Sequence, residues 1–143
     1  MWDVRLVLDT DVIVAALRSP TGASAALLAA ARKGQMTLVA NVALALEYEA
    51  ICGRAEHILV AGLSVTEVST FVDAVIAMAE PVESHFLWRP MLRDPSDEMV
   101  LEAAANGRAR AIVTFNQRDF ADVPSSLGIE VWSPATALKR IRP

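Results

Sequence analysis

The sequence predicts an α/β fold, with a parallel sheet covered by helices on both faces. Short apolar runs such as residues 6–8 alternate with longer helical patterns, and this order is typical of parallel strands joined by helices. Polar residues also follow two of the predicted strands, Asp9 at the end of the first and Thr114 at the end of a later one. Because ligands bind at the carboxyl ends of parallel strands, these positions indicate where chemistry would occur.

The strand predictions rest on brief apolar stretches that stop at polar or turn residues. The third is weakly indicated, since it depends on Val82 close to Pro81. The five predicted strands lie at residues 6–8, 36–39, around 82, 111–114 and 129–132.

The helix predictions rest on apolar periodicity and on residues that cap helix ends. Asn41 is a candidate N-cap, and Pro95 suits the first turn of a helix that opens at Asp94. Gly34 and Gly107 mark helix ends. The predicted helices cover residues 10–17, 23–33, 42–53, 66–79, 95–107 and 134–141, with a loop or short helix at 115–123.

Length and hydropathy bound the class of protein. The 143 residues are most simply one domain, 1–143, with a single core. No run approaches the roughly 18 apolar residues of a membrane helix, so the apolar fraction of 54% predicts a core plus a partner surface. Asp3 and Arg5 interrupt the N-terminus before an apolar stretch of secretory length. We therefore expect a cytoplasmic protein without membrane association.

Charge and rare residue types exclude some functions. The lone Cys52 excludes an intramolecular disulfide and a cysteine-rich zinc site, and we expect it in the core. His57 and His85 show no paired spacing, so zinc chemistry is not expected. The net charge of −4 argues against holding nucleic acid by bulk positive charge but permits a local basic rim.

Asp9 and Asp11 each admit two interpretations. An aspartate at a helix start often only caps backbone N–H groups and suits the helix dipole. Asp9 is the sharper catalytic candidate because it directly ends the buried strand. Asp11 is interpreted as a supporting acid or a cap.

Glu47 is a stronger candidate because it falls within an apolar helical stripe. Leu44, Glu47, Tyr48 and Ile51 follow i, i+3, i+4, i+7 spacing. A buried carboxylate is costly without a cation, metal or hydrogen-bond partner. Glu49 lies about 200° around the helix from Glu47 and is expected in solvent.

Three acids open the helix that follows residue 93. Asp97 repeats the stripe pattern with Val100, although a capping role as the third residue of the helix competes with a functional one. We interpret Asp94 as the cap, Asp97 as the functional acid and Glu98 as solvent-facing.

Thr114, Asn116 and Asp119 lie just beyond a strand end. Asn and Asp in loops often only form turns. A functional role for these residues is therefore indicated only if they lie close to the other acids. Asp9, Glu47, Asp97 and Asp119 come from four separate elements, and clustered carboxylates remain ionised together only beside a cation. Oxygen-only ligands favour Mg²⁺ or Mn²⁺, and such an ion can activate a water to attack a phosphodiester.

At this point the sequence resembles the PIN-domain ribonucleases, in particular the bacterial PIN proteins that are toxins of toxin–antitoxin pairs. The resemblance covers nearly the whole chain, and its order and spacing are more specific than any single piece. It rests on residues 7–12, 46–49, 93–98, 112–120 and 132–134.

The resemblance implies a three-layer α/β/α domain with a central parallel five-stranded sheet. It also implies a Mg²⁺- or Mn²⁺-dependent endoribonuclease that acts on RNA, frequent homodimers and often a cognate antitoxin. By position, Asp9, Glu47 and Asp97 match the three core metal-site acids, and Asp119 matches the more variable fourth.

The resemblance also identifies supporting positions, with two departures. Thr114 and Asn116 match polar positions beside the fourth acid, but many PIN domains carry Asp where Asn116 stands. Asp11 stands where these relatives commonly have Asn, which adds negative charge near the metal site.

Two alternatives remain open. A haloacid-dehalogenase-like phosphohydrolase would use Asp9 and Asp11 as nucleophile and acid and Thr114 as the strand-end hydroxyl, but it needs a placed lysine, and only Lys33 and Lys139 are present. It also needs a late acidic pair that residues 129–134 lack. The second alternative is a PIN-like binding module whose catalytic site has decayed.

The sequence indicates less about the RNA contacts than about the acidic site. Trp88 is a candidate for stacking on a base, with core packing as its competing role. The candidate basic rim comprises Arg18, Arg54, Arg89, Arg93, Arg108 and Arg118.

Overall fold

A five-stranded, fully parallel sheet forms the centre of the protein. The computed structural model describes residues 3–83 and 90–141. The sheet order is β3-β2-β1-β4-β5, and every neighbouring pair is parallel, which confirms the predicted sheet. The strands are β1 (Arg5–Leu8), β2 (Thr37–Ala40), β3 (Glu80–Pro81), β4 (Ala111–Val113) and β5 (Glu130–Trp132).

Within the described residues, seven α-helices flank this sheet, which confirms the predicted α/β/α class. Helix α6 packs on β1, β2 and β4, and α7 packs on β5. The helices are α1 (Thr10–Arg18), α2 (Ala23–Arg32), α3 (Val42–Cys52), α4 (Ala55–Ala61), α5 (Val65–Met78), α6 (Pro95–Asn106) and α7 (Pro134–Ile141). Short 3₁₀ helices cover Gln117–Phe120 and Ser125–Leu127.

The central strand β1 positions the candidate site. Leu6, Val7 and Leu8 are fully buried, since helices cover both faces of a parallel sheet. The chain moves from β1 through β2 to β3 on one side, and then places β4 and β5 on the other side of β1. Ligands bind at such a reversal of strand order, outside the carboxyl ends of the strands. Asp9 lies there, and its N–H donates to the Val113 carbonyl at 2.9 Å.

Two elements differ from the predictions. Helix α4 was not predicted; it has seven residues and none of them is buried, and so short a segment does not show a repeated helical pattern. It ends at Gly62, whose φ of 69° is left-handed and suits glycine. The third strand lies at Glu80–Pro81 rather than at Val82, although the Val82 N–H still donates to the Ala40 carbonyl at 3.0 Å.

In the described ranges, no single helix is long and apolar enough to cross a membrane. The pairs α1–α2 and α4–α5 meet the length and composition criteria only when taken together, and each pair is strongly bent. Cys52 is buried, as predicted, and His57 is half-buried. The predictions for His85, Trp88 and Arg89 lie outside the described residues.

Candidate active site

Asp9 is held at the carboxyl end of β1 by two donors. Its Oδ1 accepts a hydrogen bond from the Thr10 N–H at 2.8 Å, and it is the N-cap of α1. Its Oδ2 accepts from the Thr114 hydroxyl at 2.8 Å, and Thr114 is fully buried beyond β4. Capping and a place in the site are therefore compatible, because one carboxylate does both.

Asp11 joins α1 to the segment that follows β4. Its Oδ2 accepts from the Phe115 N–H at 3.0 Å, from the Asn116 side-chain amide at 3.2 Å and from the Thr114 hydroxyl at 3.3 Å. Its Oδ1 is buried and has no hydrogen-bond partner within the described part of the chain. The predicted supporting residues thus lie together, around one carboxylate.

Helix α3 brings Glu47 towards the site. Glu47 is half-buried and Glu49 is exposed, as the helical stripe predicts. Tyr48 is fully buried, and its hydroxyl donates to the Leu8 carbonyl. Because Leu8 directly precedes Asp9, this hydrogen bond ties α3 to the end of β1.

Asn41 links the helices that carry Glu47 and Asp97. Its side-chain oxygen accepts from the Leu44 N–H at 2.9 Å, and its amide donates to the Met99 carbonyl of α6 at 3.1 Å. Capping by Asn41 was predicted, but the contact with α6 was not, because the two residues are far apart in the sequence. Nothing in the local pattern around Asn41 signals that partner.

The three acids at the start of α6 have different environments. Asp94 is the N-cap, accepting from the Ser96 N–H at 2.9 Å, as predicted, and Asp97 is half-buried.

The prediction that Glu98 faces solvent is wrong. Glu98 is half-buried and accepts from the Met91 N–H at 3.1 Å and from the Leu92 N–H at 2.9 Å. The segment before α6 folds back onto its first turn, and helical periodicity carries no information about such a loop.

Mutual repulsion marks Asp97 as part of an acidic cluster. Burial, and then repulsion from Asp119, Asp9, Asp94 and Glu47, together raise the pKa of its carboxyl to about 6. All these carboxylates therefore act on Asp97 electrostatically, as the predicted convergence requires.

The pKa values of Asp9 and Asp11 are also raised. For Asp9 the main cause is burial, opposed by the hydrogen bonds from Thr114 and Thr10, with repulsion from Asp119 adding to the rise. For Asp11, burial and then repulsion from Asp9 raise the pKa to about 6. These carboxylates lie where the charged form is disfavoured, and a cation would relieve that cost.

The segment after Thr114 is an open surface beside these acids. Asn116, Gln117, Arg118 and Asp119 are exposed and line one concavity together with Phe115. Asp119 therefore reaches the cluster from a short 3₁₀ helix rather than from a buried position.

The carboxylate oxygens suit a hard divalent cation, although they do not surround a common point as the ligands of a formed metal site do. Within residues 3–83 and 90–141, no three His, Cys, Asp or Glu side chains already form a group that could hold a metal ion. The four predicted ligands nevertheless offer only carboxylate oxygens, which Mg²⁺ and Mn²⁺ prefer. The repelling carboxylates and the unpartnered Oδ1 of Asp11 leave negative charge that such an ion would neutralise.

The arginines of the predicted basic rim lie at different ends of their elements. Arg18 lies in the last turn of α1, which runs away from the carboxyl edge of the sheet, and Arg108 precedes β4 at the amino edge. Arg54 follows α3 at the end remote from Asn41. Arg93 and Arg118 are exposed and directly adjoin Asp94 and Asp119, so within the described residues these two remain candidates for phosphate contact.

Comparison with known proteins identifies the family. The family model described as PIN domain matches residues 5–118, which include every predicted site residue except Asp119. The chain belongs to the PIN domain family, and the resemblance drawn from the sequence is confirmed.

A solved structure shares the fold. It is a chain in the crystal structure of VapBC2 from Rickettsia felis bound to a DNA fragment from their promoter. The match has a TM-score of 0.62 and 15% sequence identity, and covers 91% of this chain and 100% of that one. Comparison with curated proteins gives no match.

Proposed function

We propose that this protein is a divalent-metal-dependent endoribonuclease and the toxin component of a toxin–antitoxin pair. Membership of the PIN domain family, whose members are generally nucleases, supports nuclease activity. The observation that carries the proposal is the electrostatic convergence of Asp9, Glu47, Asp97 and Asp119 at the switch point of the sheet. RNA as the substrate and Mg²⁺ or Mn²⁺ as the ion are the finer parts of the proposal.

Each group has a defined part in this mechanism. Asp9, Glu47, Asp97 and Asp119 would hold the ion, which supplies activation of water and neutralisation of charge on the phosphodiester. Thr114 holds the Asp9 carboxylate in place through its hydroxyl. Asp11 fixes the segment at Phe115 and Asn116, so that Asp119 is presented to the cluster.

We also propose partners for this protein. The fold neighbour comes from a structure of VapBC2 bound to promoter DNA, and we propose a cognate antitoxin for this chain as well. Homodimer formation and a cytoplasmic location complete the proposal. Five exposed large apolar side chains on α3, α4 and α5 support a partner surface; they are Val42, Leu46, Leu59, Val60 and Val65.

A cleavage assay tests the proposed reaction. Purified protein is incubated with single-stranded RNA and Mn²⁺ beside Asp9→Asn, and products are resolved on a denaturing gel. We expect cleavage that requires the ion and is lost in the variant. Equal products from both proteins would overturn the proposal and leave the decayed binding module.

The phosphohydrolase alternative has less support in the geometry. Lys33 follows α2 and leads into the start of β2, and Lys139 lies in the last turn of α7. Both positions lie away from the carboxyl edge where Asp9 stands. Trapping a stable aspartyl-phosphate mimic on Asp9 would favour that alternative.

A further inference from the structure

The side chain of Phe115 stands in solvent beside the acidic cluster. It is 56% exposed, whereas an aromatic ring contributes most to stability when it is buried. Among the large apolar side chains that are exposed in the described ranges, Phe115 is the aromatic one, and it follows β4 in the chain whereas the others belong to α3, α4 and α5. The ring is therefore available to contact a ligand at the surface.

The backbone at Phe115 is fixed even though its side chain is free. Its N–H donates to Asp11 at 3.0 Å. Its neighbour Thr114 is buried and bonded to Asp9, and its neighbour Asn116 donates to Asp11 from the side chain and to the Thr114 hydroxyl from the backbone. A ring mounted on a fixed backbone loses little entropy when it binds a ligand.

The surroundings of the ring define the ligand's chemistry. Gln117 and Arg118 are exposed on the same concave surface, so an aromatic face, an amide and a cation lie side by side. Aromatic rings stack on nucleobases, and arginines contact phosphates. Bases inside a duplex are already stacked and are not available to a protein ring, whereas unpaired bases are.

We infer that Phe115 is a substrate-positioning residue that stacks on one unpaired base of single-stranded RNA, while Arg118 contacts a neighbouring phosphate. This inference rests on the proposed nuclease function and adds to it the residues that bind the strand next to the cut. The stacked base holds the strand beside Asp9 and its partners, and the stack strengthens binding of the substrate and of the transition state alike.

The test compares variants of Phe115 in the full chain. The variants are Phe115→Ala, Phe115→Leu and Phe115→Trp, and the control is Gln35→Ala, which truncates an exposed side chain in the loop before β2. Cleavage of single-stranded RNA in Mn²⁺ gives kcat and KM. Binding is measured separately in EDTA, by quenching of 2-aminopurine in a single-stranded RNA and in its duplex.

Stacking predicts a specific pattern. Phe115→Ala should raise KM by about tenfold with kcat nearly unchanged, because one base–aromatic stack is lost. Phe115→Trp should restore the KM and Phe115→Leu should not, and Gln35→Ala should match the wild type. Quenching should be strong for the single strand, weak for the duplex and absent in Phe115→Ala.

The outcomes separate this inference from the proposed function. If the wild type cleaves RNA and Phe115→Ala has the same KM, or if Phe115→Leu restores it, the stacking role is wrong and the nuclease stands. If no protein cleaves but quenching still requires an aromatic residue at 115, the nuclease proposal fails and stacking stands. A change confined to oligomeric state in gel filtration would assign Phe115 to a protein interface and overturn stacking.

Discussion

The two edges of the same sheet carry charge in opposite ways. At the amino edge, charges are paired: Arg5 at the start of β1 bonds Glu80 at the start of β3, and Arg110 bonds Glu130 at 3.4 Å. At the carboxyl edge, Asp9 and Asp97 face further carboxylates instead of a described cation partner.

This contrast separates stability from function. Paired surface charges are nearly neutral for folding, and the hydrogen bond to Glu80 raises the pKa of Arg5, as expected of a satisfied pair. Repelling carboxylates destabilise the fold, so their presence at a ligand-binding edge indicates a role that outweighs the cost.

The largest effect is expected from neutralising one acid of the cluster. Glu47→Gln should lower RNA cleavage by about 100-fold or more, because a bound ion stabilises the transition state by several kcal/mol and each tenfold corresponds to about 1.4 kcal/mol. Glu49→Gln is the matched control on the exposed face of the same helix and should cleave normally. Rates in Mn²⁺ measure both, and equal losses would contradict the assignment of Glu47.

The next effect concerns the hydroxyl that holds Asp9. Thr114→Val removes the donor to Asp9 and Asp11 while preserving the shape, and we expect about a 10- to 100-fold loss of activity or ion affinity. Thr114→Ser keeps the hydroxyl and should retain most of both. A Thr114→Val protein that binds Mn²⁺ and cleaves like the wild type would show that the bond is not needed.

A substitution near the amino edge should affect stability instead of activity. A Cβ at Gly107 would lie 2.4 Å from Val39 Cγ1 and 2.7 Å from the Ala103 carbonyl. We therefore expect Gly107→Ala to lower the free energy of unfolding by about 1 to 3 kcal/mol, measured in urea. Cleavage per folded molecule should stay unchanged. A loss of activity without a loss of stability would contradict the assignment of activity to the carboxyl edge.

The smallest effect is a pH dependence of the metal-free protein. Asp11 and Asp97 have pKa values of about 6 in the folded state, above the ordinary 3.8. The folded state therefore binds protons more readily than the unfolded state. The two ionised carboxylates destabilise the fold, and this destabilisation fades as pH falls from above 6 towards 4. The melting temperature in EDTA should rise by a few degrees between about pH 7.5 and about pH 5.

Mg²⁺ should weaken or reverse this trend, since a cation favours the ionised carboxylates. Asp97→Asn should flatten the profile recorded in EDTA. If the metal-free protein instead loses stability over this range in a way that Asp97→Asn leaves unchanged, the acidic cluster is not its source.

The sequence predicted the parts of the site that follow from strand ends and helical periodicity. Asp9 and Thr114 end two apolar strands, and adjacent parallel strands bring such ends together. Glu47 and Asp97 stand out because a carboxylate is conspicuous in an apolar stripe.

Contacts between distant segments were not predictable in this way. The bond from Asn41 to Met99 and the bonds from Met91 and Leu92 to Glu98 depend on how helices and loops pack. The exposure of Phe115 likewise follows from a loop path fixed by Asp11, and local composition does not encode that path.

The central claim is that the acids at the carboxyl edge share a divalent cation. Calorimetric titration of Mn²⁺ into the wild type, Asp97→Asn and Glu49→Gln tests it most directly, without reference to any substrate. We expect the wild type and Glu49→Gln to bind Mn²⁺ alike and Asp97→Asn to bind at least about tenfold more weakly. Equal binding by all three proteins, or no binding by the wild type, would contradict the claim.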